Sequence, residues 1–118
     1  MNYFQIANEY YNAKNYKKAI YMYGKAIMQK NNVSSSLYNS AVCFIKLKDY
    51  ERAIPLLRSA IKLKRDSKYF FNLGYCYAVL KDNKKALLYF NTAWCLDNDD
   101  VDCEKAINSI MKTYLSKS

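Results

Sequence analysis

One short segment returns three times along the chain, and its spacing constrains the fold more than any other feature. Lys14-Asn15-Tyr16-Lys17-Lys18-Ala19-Ile20 recurs as Lys48-Asp49-Tyr50-Glu51-Arg52-Ala53-Ile54 and again as Lys81-Asp82-Asn83-Lys84-Lys85-Ala86-Leu87. The alanines Ala19, Ala53 and Ala86 are spaced 34 and then 33 residues apart. Seven residues after each stands a second alanine, Ala26, Ala60 and Ala93. Sixteen residues before each stands a large apolar residue, Tyr3, Leu37 and Phe70.

The apolar period within each unit is helical. Tyr3, Ile6, Ala7 and Tyr10 follow i, i+3, i+4, i+7, as do Phe70, Leu73, Gly74 and Tyr77. The second unit gives Leu37, Ala41 and Phe44, with Ser40 in the slot of Ile6 and Leu73. A second helix follows in each unit, on Ala19, Ile20, Tyr23, Ala26 and Ile27, then on Ala53, Ile54, Leu57, Ala60 and Ile61, then on Ala86, Leu87, Phe90, Ala93 and Trp94. The turn between the two helices carries Asn15, Asp49 or Asp82, each suited to cap the helix after it. Small residues at Ala7, Ala41, Gly74 and at the alanine columns let helices approach closely, and aromatics fill the gaps. Pro55 falls about one and a half turns into the fourth helix, where we expect a local bend.

These columns resemble the tetratricopeptide repeat, a helix-turn-helix unit of about 34 residues. The family's aromatic–Leu–Gly–Tyr run appears as Phe70, Leu73, Gly74 and Tyr77, and its Ala–aromatic–Ala run as Ala86, Phe90 and Ala93. The first unit matches with Tyr3, Ile6, Ala7, Tyr10, Ala19, Tyr23 and Ala26; the second departs at Ser40 and Leu57. Where the family has a closing proline this chain has Asn31, Arg65 and Asn98, which implies less rigid linkers. The resemblance implies an all-α fold, a right-handed superhelix of three helix-turn-helix hairpins plus a capping helix. The expected organisation is a single domain over 1–118, with repeats at 1–33, 34–66 and 67–99 and a capping helix at 100–116. The cap's apolar face is read as Ile107, Ile110, Met111 and Tyr114, and its polar face as Lys105, Asn108, Ser109 and Lys112.

Composition narrows the chemistry. The 118 residues hold no histidine, which removes the commonest general base and zinc ligand. The two glycines, Gly24 and Gly74, lie too far apart for a phosphate-binding loop. We expect no catalytic activity, no metal and no cofactor. Cys43, Cys76, Cys95 and Cys103 form no Cys-x-x-Cys pair and read as small buried or half-buried apolar residues in a reducing compartment. The N-terminal residues carry no secretory pattern, no apolar run approaches the roughly 20 residues needed to span a bilayer, and the C-terminus shows no lipidation motif. A cytoplasmic protein without membrane contact is the expectation. Asp97, Asp99, Asp100, Asp102 and Glu104 fail the spacing of a calcium loop and read as a solvated connector whose charge favours the start of the last helix.

Charge is uneven. The net +9 divides into +11 over residues 1–96 and −2 over residues 97–118. A basic body draws acidic partners over about 10 Å; the alternative is that the exposed faces of helical repeats are simply lysine-rich.

In the tetratricopeptide family the first helix of each hairpin lines a concave groove. The resemblance therefore implies a peptide-binding groove of Phe4, Asn8, Tyr11 and Asn12, then Tyr38, Asn39, Val42, Ile45 and Lys46, then Lys68, Phe71, Asn72, Tyr75 and Val79. Amides interleaved with aromatics suit an extended peptide, because an amide bonds both backbone N–H and C=O. The competing view packs these residues against neighbouring helices. Some family members clamp the acidic C-terminal tails of heat-shock chaperones with Lys and Asn on the first helix, Asn on the third, and Lys and Arg on the fifth. Those slots hold Phe4, Asn8, Asn39, Lys68 and Asn72, and Lys46 adds a nearby cation. Three of the five match; Asn72 lacks the guanidinium fork that grips a carboxylate. The leading expectation is a non-catalytic module that binds a protein or peptide partner, acidic or with an acidic tail, as an adaptor or co-chaperone-like scaffold. Two alternatives stand beside it. Nucleic-acid binding is disfavoured by lysines scattered over Lys17, Lys25, Lys62 and Lys84; self-assembly into a homo-oligomer would use exposed repeat edges.

Overall fold

The computed structural model describes residues 1–116; the terminal Lys117 and Ser118, counted in the charge of the C-terminal region and in the expected 1–118 domain, lie outside the described residues. Seven helices and no strand are found among them: α1 (Tyr3–Asn12), α2 (Tyr16–Met28), α3 (Val33–Lys46), α4 (Tyr50–Leu63), α5 (Ser67–Val79), α6 (Asn83–Leu96) and α7 (Val101–Ser116). They fall into two compact units, Met1–Lys64 and Arg65–Ser118.

The turns inside the hairpins follow one rule. Lys14, Lys48 and Lys81 take left-handed backbone with φ of 61°, 61° and 68°. Each closes the helix before it with two bonds. The Lys14 N–H donates to Tyr11 O and the Asn15 N–H to Tyr10 O, both at 2.9 Å. Lys48 and Asp49 repeat this on Ile45 and Phe44, and Lys81 and Asp82 on Ala78 and Tyr77. This is the paired C-terminal closure usually given to glycine. The next residue then opens the following helix: Asn15, Asp49 and Asp82 accept the N–H of Lys18, Arg52 and Lys85 at 3.3, 3.2 and 3.1 Å. Asp49 and Asp82 add ion pairs to Arg52 at 3.5 Å and Lys85 at 4.0 Å. The caps thus lie where the repeat columns put them. Lys30 closes α2 in the same left-handed way, and Asn32, also left-handed at φ 49°, precedes α3 without a side-chain cap bond. α3 accordingly opens at Val33, one residue ahead of the expected repeat start.

In the first unit α1 packs on α2, α2 on α3, and α3 on α4. Its interior is built from the columns: Ala7, Ala19, Tyr23, Ala26, Ala41, Ala53, Leu57 and Ala60 are all sealed from solvent. Cys43 joins Ala7, Ala19 and Tyr23 in one cluster, with Phe4, Tyr10, Tyr11 and Ile20 packed around it. Ser36 and Ser40 are also buried, and the Ser36 hydroxyl donates to Asn31 O at 3.4 Å.

In the second unit α5 packs on α6 and α6 on α7. Gly74 is where the close approach occurs. A Cβ there would stand 2.6 Å from Phe90 Cδ1, so the ring itself fills the glycine's space. Tyr77 stacks on Tyr89 at 5.6 Å between centroids, and Tyr89 lies 6.5 Å from Phe70. Lys85 sits over Tyr77 at 5.4 Å, as Lys18 sits over the repeat-equivalent Tyr10 at 5.6 Å in the first unit.

Two expectations are corrected. Cys95 is exposed, while Cys43, Cys76 and Cys103 are buried. Cys95 projects from α6 between Ala93 and the exposed Leu96, off the stripe that α5 and α7 cover. On α7 the buried stripe is Cys103 and Ile110, whereas Met111 and Tyr114 are both 42% exposed. With α6 as its support in this unit, α7 covers one narrow stripe, and residues seven apart share it. The Cys103 thiol donates to Phe90 O at 3.1 Å and ties α7 down. Asp100 opens α7 by accepting the N–H of Asp102 and Cys103 at 3.0 and 3.2 Å, and Asp102 and Glu104 place negative charge in its first turn.

Candidate functional site

The first helices supply the candidate groove residues: α1 and α3 in the first unit, α5 in the second. In the first unit Asn8 of α1 and Asn39 of α3 meet. Asn39 Nδ2 donates to Asn8 Oδ1 at 3.4 Å. The same oxygen accepts the hydroxyl of Tyr23, from α2, at 2.5 Å. Both amides are half-buried, and Tyr23 is sealed from solvent. This polar knot is framed by rings. Phe4 lies one helical turn before Asn8 and tilts onto Tyr23 at 6.1 Å between centroids. Tyr11 meets Tyr16 edge-on at 5.8 Å.

Phe4 and Tyr11 are thus half-buried supports of the core as well as candidates for the groove. Tyr38, Val42 and Ile45 are half-buried along α3. Asn12 and Lys46 are exposed at the last positions of α1 and α3.

Burial governs the ionisation of this cluster. It pushes the Tyr23 phenol up to about 12; the Cys43 thiol beside it adds to the rise, and a hydrogen bond with Asn39 works the other way. Burial alone pushes the Cys43 thiol up to about 12, and burial first, then Cys43 and Tyr16, raises Tyr11. Every group in the knot is therefore neutral at physiological pH. Its chemistry is hydrogen bonding, and no thiolate nucleophile forms there.

In the second unit Lys68 is exposed in the first turn of α5, where its N–H is capped by Asp66 at 2.9 Å. Asn72 turns its amide onto its own helix, donating to Lys68 O at 2.9 Å. Phe71 is half-buried against Phe90, at 5.3 Å between centroids. Tyr75 and Val79 are 41% and 37% exposed. No group of three or more metal-ligating side chains is found among the described residues. No helix among them is long and apolar enough to cross a membrane.

One contributor escapes sequence reasoning. Tyr23 sits in the same repeat column as Leu57 and Phe90, and that column reads as bulk for the core. Its hydroxyl is the one chemical difference that marks it, because a buried Tyr oxygen requires a partner.

The family model described as Anaphase-promoting complex, cyclosome, subunit 3 matches residues 12–98. Human Sperm-associated antigen 1 is 26% identical over 106 residues, 89% of this chain; the chain spans 11% of that relative's length. Among solved structures, the first TPR of Spaghetti (RPAP3) bound to the HSP90 peptide SRMEEVD superposes with a TM-score of 0.90 at 18% identity, over 96% of this chain and 90% of that one. The Arabidopsis OM64 TPR domain gives 0.88 at 22% identity, over 93% and 92%. The TPR2AB domain of yeast Sti1 in its pHSP90 complex gives 0.84 at 25% identity, over 98% and 47%. With its repeat columns, its all-helical order and a family model matching most of its length, the chain belongs to the tetratricopeptide repeat family, in the group described as Anaphase-promoting complex, cyclosome, subunit 3.

Proposed function

We propose that this chain is a non-catalytic protein-interaction module that takes an extended peptide of a partner protein on the faces of its first helices. The observation that carries the reading is the meeting of Asn8 and Asn39, two amides from successive first helices, in a frame of rings. Amides offer donors and acceptors to a peptide backbone, and Phe4, Tyr38, Phe71 and Tyr75 offer contact area. The partner is acidic, in keeping with the +11 carried by residues 1–96. One similar TPR structure holds the HSP90 peptide SRMEEVD and another is a pHSP90 complex, which makes an acidic chaperone tail the first ligand to try and a cytoplasmic co-chaperone-like adaptor the role to test. Phe4 in place of a lysine and Asn72 in place of an arginine shift recognition from charge towards hydrogen bonding and apolar contact.

Calorimetric titration with SRMEEVD checks this, using wild type and an Asn39→Ala/Lys68→Ala double variant. Loss of two polar contacts should weaken binding by roughly tenfold or more. Equal affinity for both proteins would remove the groove assignment. Absence of binding by wild type at low salt would remove the acidic tail as its ligand.

A further inference from the structure

The repeat column that holds Tyr23, Leu57 and Phe90 calls for a large apolar side chain, and only the first unit places a hydroxyl there. Tyr23 is sealed from solvent, and its hydroxyl donates to Asn8 Oδ1 at 2.5 Å. Asn39 Nδ2 reaches the same oxygen at 3.4 Å. An amide oxygen has two lone pairs, and both are occupied here. The amide nitrogen of Asn8, with its two N–H groups, is what remains for a ligand. A flipped Asn8 would set its nitrogen against that of Asn39 and take the acceptor away from the buried Tyr23 hydroxyl proton.

We propose that Tyr23 is a positioning residue that locks the Asn8 amide in one orientation, so that Asn8 meets a partner as a hydrogen-bond donor and selects an oxygen acceptor over an N–H group. The acceptor is a backbone carbonyl or a carboxylate of the peptide. This rests on the groove reading above. The depth of Tyr23 keeps its proton in place, since burial pushes the phenol up to about 12. The lock therefore holds unchanged through the neutral range.

Two variants test it. Tyr23→Phe keeps the ring and removes the hydroxyl. Asn8→Asp keeps an oxygen for Tyr23 and Asn39 and exchanges the NH2 for a second oxygen. In nitrogen-15 NMR spectra of the free proteins, Tyr23→Phe should shift the side-chain amide pair of Asn8 and speed its hydrogen exchange. Unchanged Asn8 signals in a folded Tyr23→Phe protein would overturn the lock. In titrations with SRMEEVD carrying a free C-terminal carboxylate or a C-terminal amide, Tyr23→Phe should weaken binding about three- to tenfold. Equal weakening for both peptides identifies a carbonyl as the acceptor; weakening confined to the free acid identifies the carboxylate. Asn8→Asp should weaken both peptides further while melting near wild type, and undiminished affinity would overturn the donor assignment. If wild type binds neither peptide while the Asn8 signals still respond to Tyr23→Phe, the groove reading fails and the selection falls with it, whereas the orientation of Asn8 stands.

Discussion

The two units use the same repeat to build interiors that differ in polarity. In Met1–Lys64 the buried columns admit polar atoms: the Tyr23 hydroxyl against Asn8, and Ser36 and Ser40 inside α3. In Arg65–Ser118 the equivalent space is filled by rings and sulfur. Phe90 lies over Gly74, Tyr77 stacks on Tyr89, and the Cys103 thiol reaches the Phe90 carbonyl. The columns therefore specify size, and each unit chooses polarity for itself. A polar interior gives directed hydrogen bonds at its edge; an aromatic one gives rigidity at the same register.

Alkaline titration should have the largest effect, and it strikes both interiors. The ordinary values are 9.0 for the thiols and 10.0 for the phenol; in the fold Cys43, Tyr23 and Cys76 rise to about 12 and Cys103 to about 11. The unfolded chain releases these protons first, so the folded state binds more protons across this window. Stability is then full below pH 9 and falls between pH 9 and 12. Denaturant midpoints measured in that range should drop steeply, and a flat profile would refute the burial of these groups.

Phe90→Ala comes next, at about 3–5 kcal/mol, because it opens a cavity beneath Gly74 and Phe71. Chemical denaturation measures it, and a cost below about 1 kcal/mol would mean the ring is not the keystone of the second unit. The two glycines then separate the units further. Gly74→Ala drives a methyl into the Phe90 ring and should destabilise by about 1–3 kcal/mol. Gly24→Ala, with nothing within 4 Å of its Cβ, should stabilise by about 0.5–1 kcal/mol through helix propensity. Melting temperatures moving in the same direction for both variants would break this contrast.

Much of the architecture was legible in residue spacing. Ala19, Ala53 and Ala86 are sealed because a fixed period sets them opposite a neighbouring helix, and Asn15, Asp49 and Asp82 cap because a turn of fixed length precedes each second helix. The candidate site was legible only in part. Asn8 and Asn39 stand 31 residues apart, and the repeat register sets them on successive first helices. The role of Tyr23 was hidden, since periodicity reports which face a residue takes and says nothing of where its last atom ends. Asn72 shows the same limit: it shares the expected stripe, yet its amide folds back on Lys68 O, a choice of rotamer that spacing does not encode. Exposure on α7 was misjudged at Met111 and Tyr114 because an amphipathic stripe is broader than the single helix it rests on.

The left-handed lysines carry a last consequence. Four of the 19 basic residues, Lys14, Lys30, Lys48 and Lys81, sit just past the ends of α1, α2, α3 and α5, where helix carbonyls gather partial negative charge. Part of the chain's positive charge is thus turn chemistry: the residues that reverse the backbone also supply four of its 19 basic side chains. Exchanging them for Gly or Asn, which take left-handed backbone more readily, would lower the charge and keep the backbone bonds that close each helix. Lys62 in the last turn of α4, Lys84 in the first turn of α6 and Lys105 on α7 are exposed and lie outside these left-handed positions, so charge can be stripped there without touching them.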